Sequence, residues 1–349
     1  MFWILYPTYP IFHALLVALG MKGCWIDLQM DHLPWNGFTF YDTIYPLFLF
    51  MAGVSFPYSF ASSLEKGLPR WRVALRVLRR SALLWLLGLA TAFGGPHSLS
   101  SVIGRIGISW GVAALLYVAF KWRVRLGIFA AILVAYGAFP FLVSVPDAPA
   151  GADPYGATTC IYRWMDANFF PKPWMAEGAS GVFSMVSTAM LGIFAGEWLR
   201  LERPGLEPAR KAAGLAAAAV VALTTGLFFA FGLGRFSVPV IKLIWSSSYV
   251  LVSGAYSLAM LALFYWIVDV KGLRAWSFPF RVIGMNAIFA YLASRTIFPF
   301  RWEMNYMFGR LMQACPTKEW GEFVGQACYL VVYWLLLLFM YRKKVFLKV

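Results

Sequence analysis

The stretch TIYPLFLFMAGVSF, residues 43–56, is apolar over almost its whole length, and runs of this kind recur along the chain. An apolar segment of about 20 residues is long enough to cross roughly 30 Å of hydrocarbon as a helix. Of the 349 residues, 61% are hydrophobic and 13% are charged. That is too little charge to cover the surface of a soluble domain of this length. The sequence therefore predicts an all-α, polytopic membrane helix bundle forming a single transmembrane domain, residues 1–349.

Ten spans are predicted from the apolar runs. They are 2–20, 41–61, 78–94, 101–120, 124–145, 179–199, 212–233, 245–268, 280–299 and 322–341. The segments between them, counted together with the arginines at the adjoining ends of the spans (Arg79, Arg80, Arg125 and Arg281), carry 20 Lys and Arg on one side of the membrane and 8 on the other. By the positive-inside rule, the richer side is cytoplasmic, so both termini are predicted to be cytoplasmic. The opposite side carries the outer loops 21–40, 146–178 and 300–321, of which 146–178 is predicted to be an ordered cap.

Just before the apolar stretch 43–56 lies MDHLPWNGFTFYD, residues 30–42, which is unusually polar for this chain. A neutral imidazole at His32 can act as a base or a nucleophile, and Asp31 and Asp42 are both near enough in sequence to orient it. Asn36 and Gly37 are typical of a turn. Two interpretations stay open: a site edged by aromatic faces on which a sugar ring can stack, or an interfacial loop in which Asp42 caps the following helix.

Other polar residues fall inside or at the ends of predicted spans. Arg105 and Arg295 lie about one turn from the outer surface, where an ionisable residue marks a functional or paired site unless it snorkels to the interface. Ser246 and Ser247 begin a span, where helix amides are exposed, and Asn286 lies within the next one. Such groups also bond to neighbouring helices in membrane bundles. No Cys or His spacing indicates a metal site, and no disulfide pair is selected among Cys24, Cys160 and Cys315.

Several stretches together resemble one family, the heparan-α-glucosaminide N-acetyltransferase-like membrane acyltransferases. The stretches that carry the resemblance are HLPWNGFTFYDTIYPLFLFMAGVSFPYS (32–59), RVLRRSALLWLLG (76–88), GRIGISWGVAALLYV (104–118), EGASGVFSMVSTAMLGIFAGEWL (177–199), WSSSYVLVSGAYS (245–257), VDVKGLRAW (268–276), GMNAIFAYLASR (284–295) and YRKKVFLKV (341–349). They occur in the family's order over about nine-tenths of the chain. The ordered set, above all H-x-x-W-N-G-[FL]-T before an aromatic span, is specific.

The resemblance implies an activity. Members of the family transfer the acetyl group of cytosolic acetyl-CoA across the bilayer to the amine of a terminal glucosamine. His32 matches the family's active-site histidine, acting either as a covalent acetyl carrier or as a general base, with Asp42 beside it. Asn36, Ser246, Ser247 and Asn286 become candidates for stabilising the thioester oxyanion. Arg79, Arg80 and Arg105 are expected to contact the coenzyme, the first two as part of a basic inner face that suits its phosphates.

The front of the chain departs from the family pattern. The sequence LYPTYP, residues 5–10, stands where relatives have a Gly-rich turn, and an Asp-x-x-Arg-Gly stretch that usually precedes it is not in the sequence. The resemblance is to bacterial-type members without a large outer domain. It implies an integral protein of the bacterial inner membrane, with His32 near the outer face, a homodimeric state, and acetyl-CoA and an amino sugar or glycan as partners. No nucleic-acid partner and no metal cofactor are expected.

Two other classes of protein remain compatible with the residues. A transporter or flippase for an amphipathic or glycan substrate would also be polytopic and would need no acyl chemistry. An inactive scaffold of the same fold is the third possibility. The role of His32 separates them, because acyl transfer needs a reactive imidazole and a translocation pathway does not.

Overall fold

The computed structural model describes residues 8–90, 101–146, 148–149, 151–169, 178–296 and 300–347. Helices account for most of them. The helices are α1 Thr8–Ala18, α2 Trp25–Gln29, α3 Ile44–Glu65, α4 Arg70–Ala90, α5 Val102–Ala119, α6 Trp122–Leu142, α7 Ile161–Phe169, α8 Gly181–Arg200, α9 Pro208–Leu227, α10 Ser247–Tyr265, α11 Phe278–Met285, α12 Ala287–Thr296, α13 Phe300–Gln313 and α14 Lys318–Arg342. A 3₁₀ turn, Tyr41–Thr43, leads into α3, and π-helical turns extend α9 and α10.

Seven helical stretches of the described chain are long and apolar enough to cross a membrane. They are Tyr41–Glu65, Val102–Ala119, Trp122–Leu142, Gly181–Arg200, Pro208–Gly232, Ser247–Val270 and Lys318–Arg342. Each coincides with one of the predicted spans. The prediction of a polytopic, all-helical membrane protein is therefore confirmed.

The other three predicted spans differ from expectation. Helix α1 has 11 residues, and residues 2–7 of the predicted span 2–20 lie outside the described residues. Helix α4 begins at Arg70, inside a predicted loop, and its first half is rich in Arg and Leu, which favour helix. Residues 91–94 of that predicted span lie outside the described residues. The predicted span 280–299 is divided between α11 and α12, and its residues 297–299 are likewise not described.

Two of the predicted outer loops contain helices. Helix α13 lies within the predicted loop 300–321, and α7 lies within the predicted loop 146–178. Residues 147, 150 and 170–177 of the latter are outside the described part. Both sequences mix apolar and polar residues at helical spacing, which allows a short amphipathic helix to form outside a span.

The described residues pack as two compact units. The first comprises the described residues of Met1–His32, Thr39–Ile44 and Gly272–Val349, and the second comprises Leu33–Phe38 and Tyr45–Lys271. In the second unit, α8 contains the sequence GIFAG, residues 192–196, a GxxxG pattern that lets membrane helices approach closely. A Cβ atom added to Gly192 or Gly196 would collide with the α3 backbone at Phe50 or Val54. The backbones of α3 and α8 are therefore in direct contact.

The loop helix α7 is bonded to the membrane helix α6 in the second unit. Pro140 lies inside α6 and has no N–H to donate to the carbonyl oxygen of Tyr136, one turn earlier. The hydroxyl of Tyr162 donates to that oxygen at 2.7 Å, and the hydroxyl of Tyr155 donates to the next carbonyl, of Gly137, at 2.7 Å. Burial raises the pKa of both phenols, so they remain protonated donors. The expected ordering of this loop is seen in its described part.

The core of the first unit is formed by α11 to α14. Helices α1, α11 and α13 all pack on α14. The buried apolar side chains of this core are Val282, Ile283, Ala290, Ala293, Met304, Tyr329, Tyr333 and Leu337.

Asn286 interrupts the predicted span between α11 and α12. Its backbone has φ −123° and ψ 38°, outside the helical range. Its side-chain Nδ2 donates to the carbonyl of Val345 at 3.0 Å, and its Oδ1 accepts from the N–H of Leu347 at 3.1 Å. Because the amide bonds to a distant segment of backbone, the chain leaves the helix at this residue. The expectation of one continuous helix over 280–299 is wrong.

Candidate functional site

His32 and Asp42 form a short hydrogen-bonded pair in the first unit. His32 Nδ1 lies 2.7 Å from Asp42 Oδ1. The histidine side chain is 48% exposed, whereas the aspartate side chain is 3% exposed. An ionised carboxylate only accepts hydrogen bonds, so Nδ1 carries the proton and the lone pair of a neutral ring lies on Nε2. A reactive nitrogen is thus presented by a half-exposed ring whose orientation is set by a buried carboxylate.

The second oxygen of Asp42 is fixed by Thr39. Asp42 Oδ2 accepts from the Thr39 N–H at 3.3 Å and lies 3.0 Å from the Thr39 hydroxyl. That hydroxyl is also 2.7 Å from the carbonyl oxygen of Asp31, and its single proton can point to either oxygen. Thr39 is 4% exposed. The carboxylate is therefore bonded at both oxygens within its own loop.

The neighbouring residues shape the loop around the pair. Asp31 Oδ1 accepts from the backbone N–H of His32 at 2.7 Å, so of the two candidate carboxylates Asp42 is the one that orients the ring. The ring of Tyr41 lies 4.6 Å from the imidazole, centroid to centroid. Gln29 Oε1, at the end of α2, accepts from the N–H of Phe40 at 3.0 Å. Asp42 bonds upstream to Thr39 and His32, so the alternative role as a helix cap does not describe it.

A second histidine–aspartate pair lies in the same unit. His13 Nδ1 is 2.7 Å from Asp27 Oδ1, and the N–H of Gly23 donates to Asp27 Oδ2 at 2.8 Å. The Gly23 amide, together with His13, lowers the pKa of Asp27. This pair links α1 to α2. It offers a matched comparison for the pair at His32.

The segment after His32 belongs to the second unit. Asn36, which is exposed, forms an isolated antiparallel bridge with Ile241, and the N–H of Gly37 donates to the Val240 carbonyl at 2.9 Å. Gly37 has φ 127°, a conformation that side-chain-bearing residues rarely adopt. Trp35 donates from Nε1 to the carbonyl of Tyr155 at 2.8 Å. The Asn-Gly pair therefore forms a bridge to the chain that leads into α10, in place of the predicted turn.

Ser246 and Ser247 are buried at the start of α10. Ser246 is its N-cap: the hydroxyl accepts from the N–H of Tyr249 at 3.3 Å and donates to the carbonyl of Pro239 at 2.8 Å. The Ser247 hydroxyl donates to the carbonyl of Leu133 on α6 at 2.6 Å. The expectation that these serines begin a helix is correct. Both hydroxyls donate to backbone oxygens.

The arginines expected to contact the coenzyme occupy two environments in the second unit. Arg105 is fully buried near the start of α5, which is inconsistent with snorkelling to a lipid interface. Arg79 and Arg80 are exposed on α4, and the Arg80 guanidinium lies 4.7 Å from the centre of the Trp110 ring. The side chain of Arg295 lies outside the described residues. Asn286 binds the C-terminal backbone in the first unit, as described above.

Of the predicted site residues, the structure brings His32 and Asp42 together. Thr39 is the supporting residue that sequence reasoning missed. Its signal was present, because it is the final residue of the H-x-x-W-N-G-[FL]-T motif and stands three positions before Asp42. A threonine beside an aspartate is too common to be singled out without the folded loop.

Comparison with known proteins gives two relatives and no matching family model. Heparan-alpha-glucosaminide N-acetyltransferase of Homo sapiens is 27% identical, over 91% of this chain and 55% of the relative. Heparan-alpha-glucosaminide N-acetyltransferase of Mus musculus is 25% identical, over 91% of this chain and 56% of the relative. The chain spans little more than half the length of these relatives. The similarity nevertheless extends over nearly all of this chain and confirms the resemblance drawn from its motifs: the chain is a homologue of heparan-alpha-glucosaminide N-acetyltransferase.

Proposed function

We propose that this chain is a transmembrane N-acetyltransferase that moves the acetyl group of acetyl-CoA to the amine of an amino sugar on the opposite side of the membrane. The observation that carries the proposal is the pair formed by His32 and buried Asp42, 2.7 Å apart. An imidazole held by a carboxylate is suited to accept either a proton or an acyl group. The homology supports acyl transfer as the class of reaction.

The carboxylate of Asp42 would contribute in two ways. It holds the proton on Nδ1, so that the lone pair of Nε2 faces the reacting group. It also stabilises the positive charge that develops on the ring when Nε2 gains a proton or an acyl carbon. Thr39 and Tyr41 restrict the carboxylate and the ring respectively, so little reorganisation is needed during the reaction.

Two routes use the same pair. In the covalent route, Nε2 attacks the thioester carbonyl, the C–S bond breaks, and the thiolate of CoA leaves. The sugar amine then attacks the acetyl-imidazolium, the C–N bond to His32 breaks, and the amine proton passes to solvent. In the direct route, the amine attacks the thioester while Nε2 takes its proton, and the protonated ring returns that proton to the departing thiolate.

The residues that would contact CoA and the amino sugar are inferred from their charge and exposure. The phosphates of CoA would be held by Arg79 and Arg80, which are exposed on the α4 helix. The amino sugar would approach the aromatic residues of the segment 30–42, and Asn36 is the exposed amide among the predicted oxyanion donors. The opposite membrane sides of donor and acceptor rest on the positive-inside distribution of Lys and Arg.

The test is transfer of labelled acetyl by the purified full chain in lipid nanodiscs. Acetyl-CoA labelled in its acetyl group is added with glucosamine, and the label is followed into N-acetylglucosamine and into protein. His32→Ala is expected to lower product formation by at least about 100-fold, the scale of general acid–base catalysis. His13→Ala, which removes the other aspartate-paired histidine of the first unit, is expected to retain transfer.

The outcomes separate this proposal from a transporter. Label in neither the protein nor the amine, with the wild-type chain folded, would favour translocation without acyl chemistry and overturn the proposal. Full turnover by His32→Ala would place the reactive base elsewhere. Label trapped on wild-type protein without acceptor, and lost in His32→Ala, selects the covalent route.

A further inference from the structure

An apolar groove runs along the surface of the second unit between α6 and α9. It has a volume of about 580 Å³. Exposed walls come from Val134 on α6, 58% exposed, and Val221 on α9, 64% exposed. The floor is formed by buried residues of α8 and α10, among them Ala195 and Leu258. The groove is therefore shallow enough for a ligand to enter from the side, and both of its walls belong to membrane-spanning stretches.

The two walls of the groove differ in length and bracket the thickness of one bilayer leaflet. On α6 it extends from Leu126 to Val134, and along α9 and its π-helical extension it runs from Gly214 to Phe229, which is about 12 Å and about 22 Å at the helical rise per residue. Half of the hydrocarbon core is about 15 Å. Its lining carries few hydrogen-bonding groups: the Thr225 hydroxyl donates to the carbonyl of Val221, and Trp198 Nε1 donates to the carbonyl of Lys211. An acyl chain suits such a lining.

One end of the groove is basic. Both walls begin near the N-terminus of a helix. On each wall, a basic residue lies one helical turn before the first residues of the groove, on the same face of the helix: Arg123 precedes Leu126 by three residues, and Lys211 precedes Leu215 by four. The segments 121–125 and 197–211 together hold seven basic and three acidic residues. The N–H ends of α6 and α9 add positive partial charge. We refer to these two segments as the basic end.

A buried guanidinium lies at the basic end. Arg125 is 4% exposed, and its Nη2 donates to Glu197 at 2.7 Å. Its guanidinium also lies 5.6 Å from the ring of Phe194, which lines the groove. Its Nε and Nη1 atoms have no hydrogen-bond partner among the described residues. Buried donors of this kind are normally satisfied, so the side chain points to an anionic ligand.

We propose that this groove binds an anionic phospholipid, with one acyl chain between α6 and α9 and the phosphate at the basic end. A zwitterionic lipid would fill the apolar walls equally well, but its headgroup has no net charge to offset the excess of basic over acidic residues at the basic end. A site between membrane helices with basic residues at one end favours an anionic headgroup. The proposal concerns α6 to α10 alone and does not depend on the acetyltransferase assignment.

The test uses photo-crosslinking on the purified full chain in phosphatidylcholine nanodiscs. A small fraction of phosphatidylglycerol with a diazirine in its acyl chain is added, the sample is illuminated, and adducts are mapped by peptide mass spectrometry. Adducts are expected on the α6 and α9 groove residues, displaced by unlabelled phosphatidylglycerol. Arg123→Gln is expected to lower the preference over a phosphatidylcholine probe by about fivefold, the contribution of one cation near an anionic lipid.

Matched variants separate this site from general lipid contact. Ala218→Phe fills the groove and should remove most groove adducts, whereas Ala217→Phe, one residue away on α9 and outside the groove lining, should not. Lys66→Gln, in the turn between α3 and α4, controls for loss of a surface cation. Equal labelling by both probes would reduce the groove to ordinary bilayer contact and overturn the proposal. Displacement by acetyl-CoA, but not by phosphatidylglycerol, would assign the groove to the coenzyme instead.

Discussion

The carboxylate of Asp42 is buried, and its two oxygens have separate partners. Oδ1 binds the ring nitrogen of His32, and Oδ2 is bonded by Thr39. Rotation of the carboxylate would break both contacts together. The orientation of the imidazole is therefore set before any substrate arrives, which is the condition under which a catalytic group works without reorganisation.

A substitution at Thr39 tests this positioning. Thr39→Val keeps the shape of the side chain and removes the hydroxyl, so that Asp42 keeps the backbone N–H of residue 39 and loses the hydroxyl contact at 3.0 Å. Under the proposed function we expect kcat to fall by about tenfold, the size of one hydrogen bond to a charged group, with KM for acetyl-CoA unchanged. The measurement is initial rate against acetyl-CoA concentration.

Thr39→Ser is the matched control, because it restores the hydroxyl and should recover most of kcat. A purely structural role would lower the thermal stability of Thr39→Val and leave the kcat of its folded fraction intact. Undiminished kcat in Thr39→Val would show that the backbone N–H alone positions Asp42.

At the scale of helices, close packing depends on a few glycines. Gly192 of α8 lies against the α3 backbone, whereas no atom of the described residues lies within 4 Å of a Cβ placed on Gly127 of α6. Gly192→Ala should destabilise the folded chain by about 1–3 kcal/mol, because an inserted methyl group must separate two backbones. The measurement is the thermal unfolding midpoint in detergent.

Gly127→Ala provides the control within another membrane helix. It adds the same methyl group where there is space and removes a flexible residue, so its midpoint should stay level or rise slightly. Equal midpoints for the two variants would contradict direct contact between α3 and α8.

The elements that depend on residues close together in sequence were predicted correctly. Features that depend on residues far apart in sequence were not. The apolar spans and the serine N-cap of α10 can be recognised from residues that are adjacent in sequence. The break at Asn286 depends on Val345 and Leu347, about 60 residues away in sequence, so no local pattern reveals it. At the site, the pairing of His32 with an aspartate was predictable, but the choice of Asp42 over Asp31 required the folded loop.

At the scale of the whole molecule, charge is concentrated on one predicted face. The basic segments contain both Arg79 and Arg80 of α4 and the basic end of the lipid groove. If Arg79 and Arg80 hold the phosphates of CoA, replacing both by Gln should reduce the thermal stabilisation given by saturating CoA to less than half of its wild-type value. Each variant is compared with its own ligand-free midpoint, because Arg80 also contacts Trp110.

Lys66→Gln again serves as the control, since it removes a cation from the same predicted face. CoA stabilisation that is undiminished in the double variant would leave Arg79 and Arg80 as determinants of membrane orientation only. Stabilisation lost equally in Lys66→Gln would indicate general charge attraction rather than a phosphate site.

The bond between Tyr162 and the α6 carbonyl at Tyr136 has an evolutionary consequence. Pro140 leaves that oxygen without its helical donor, and the hydroxyl of a residue on a different helix replaces it. The hydroxyl of Tyr162 therefore compensates for the donor that the proline lacks. Substitutions at positions 140 and 162 should therefore be epistatic. If the proline is replaced first, the phenol is no longer required and can be lost. If the tyrosine is replaced first, the intermediate is expected to be less fit.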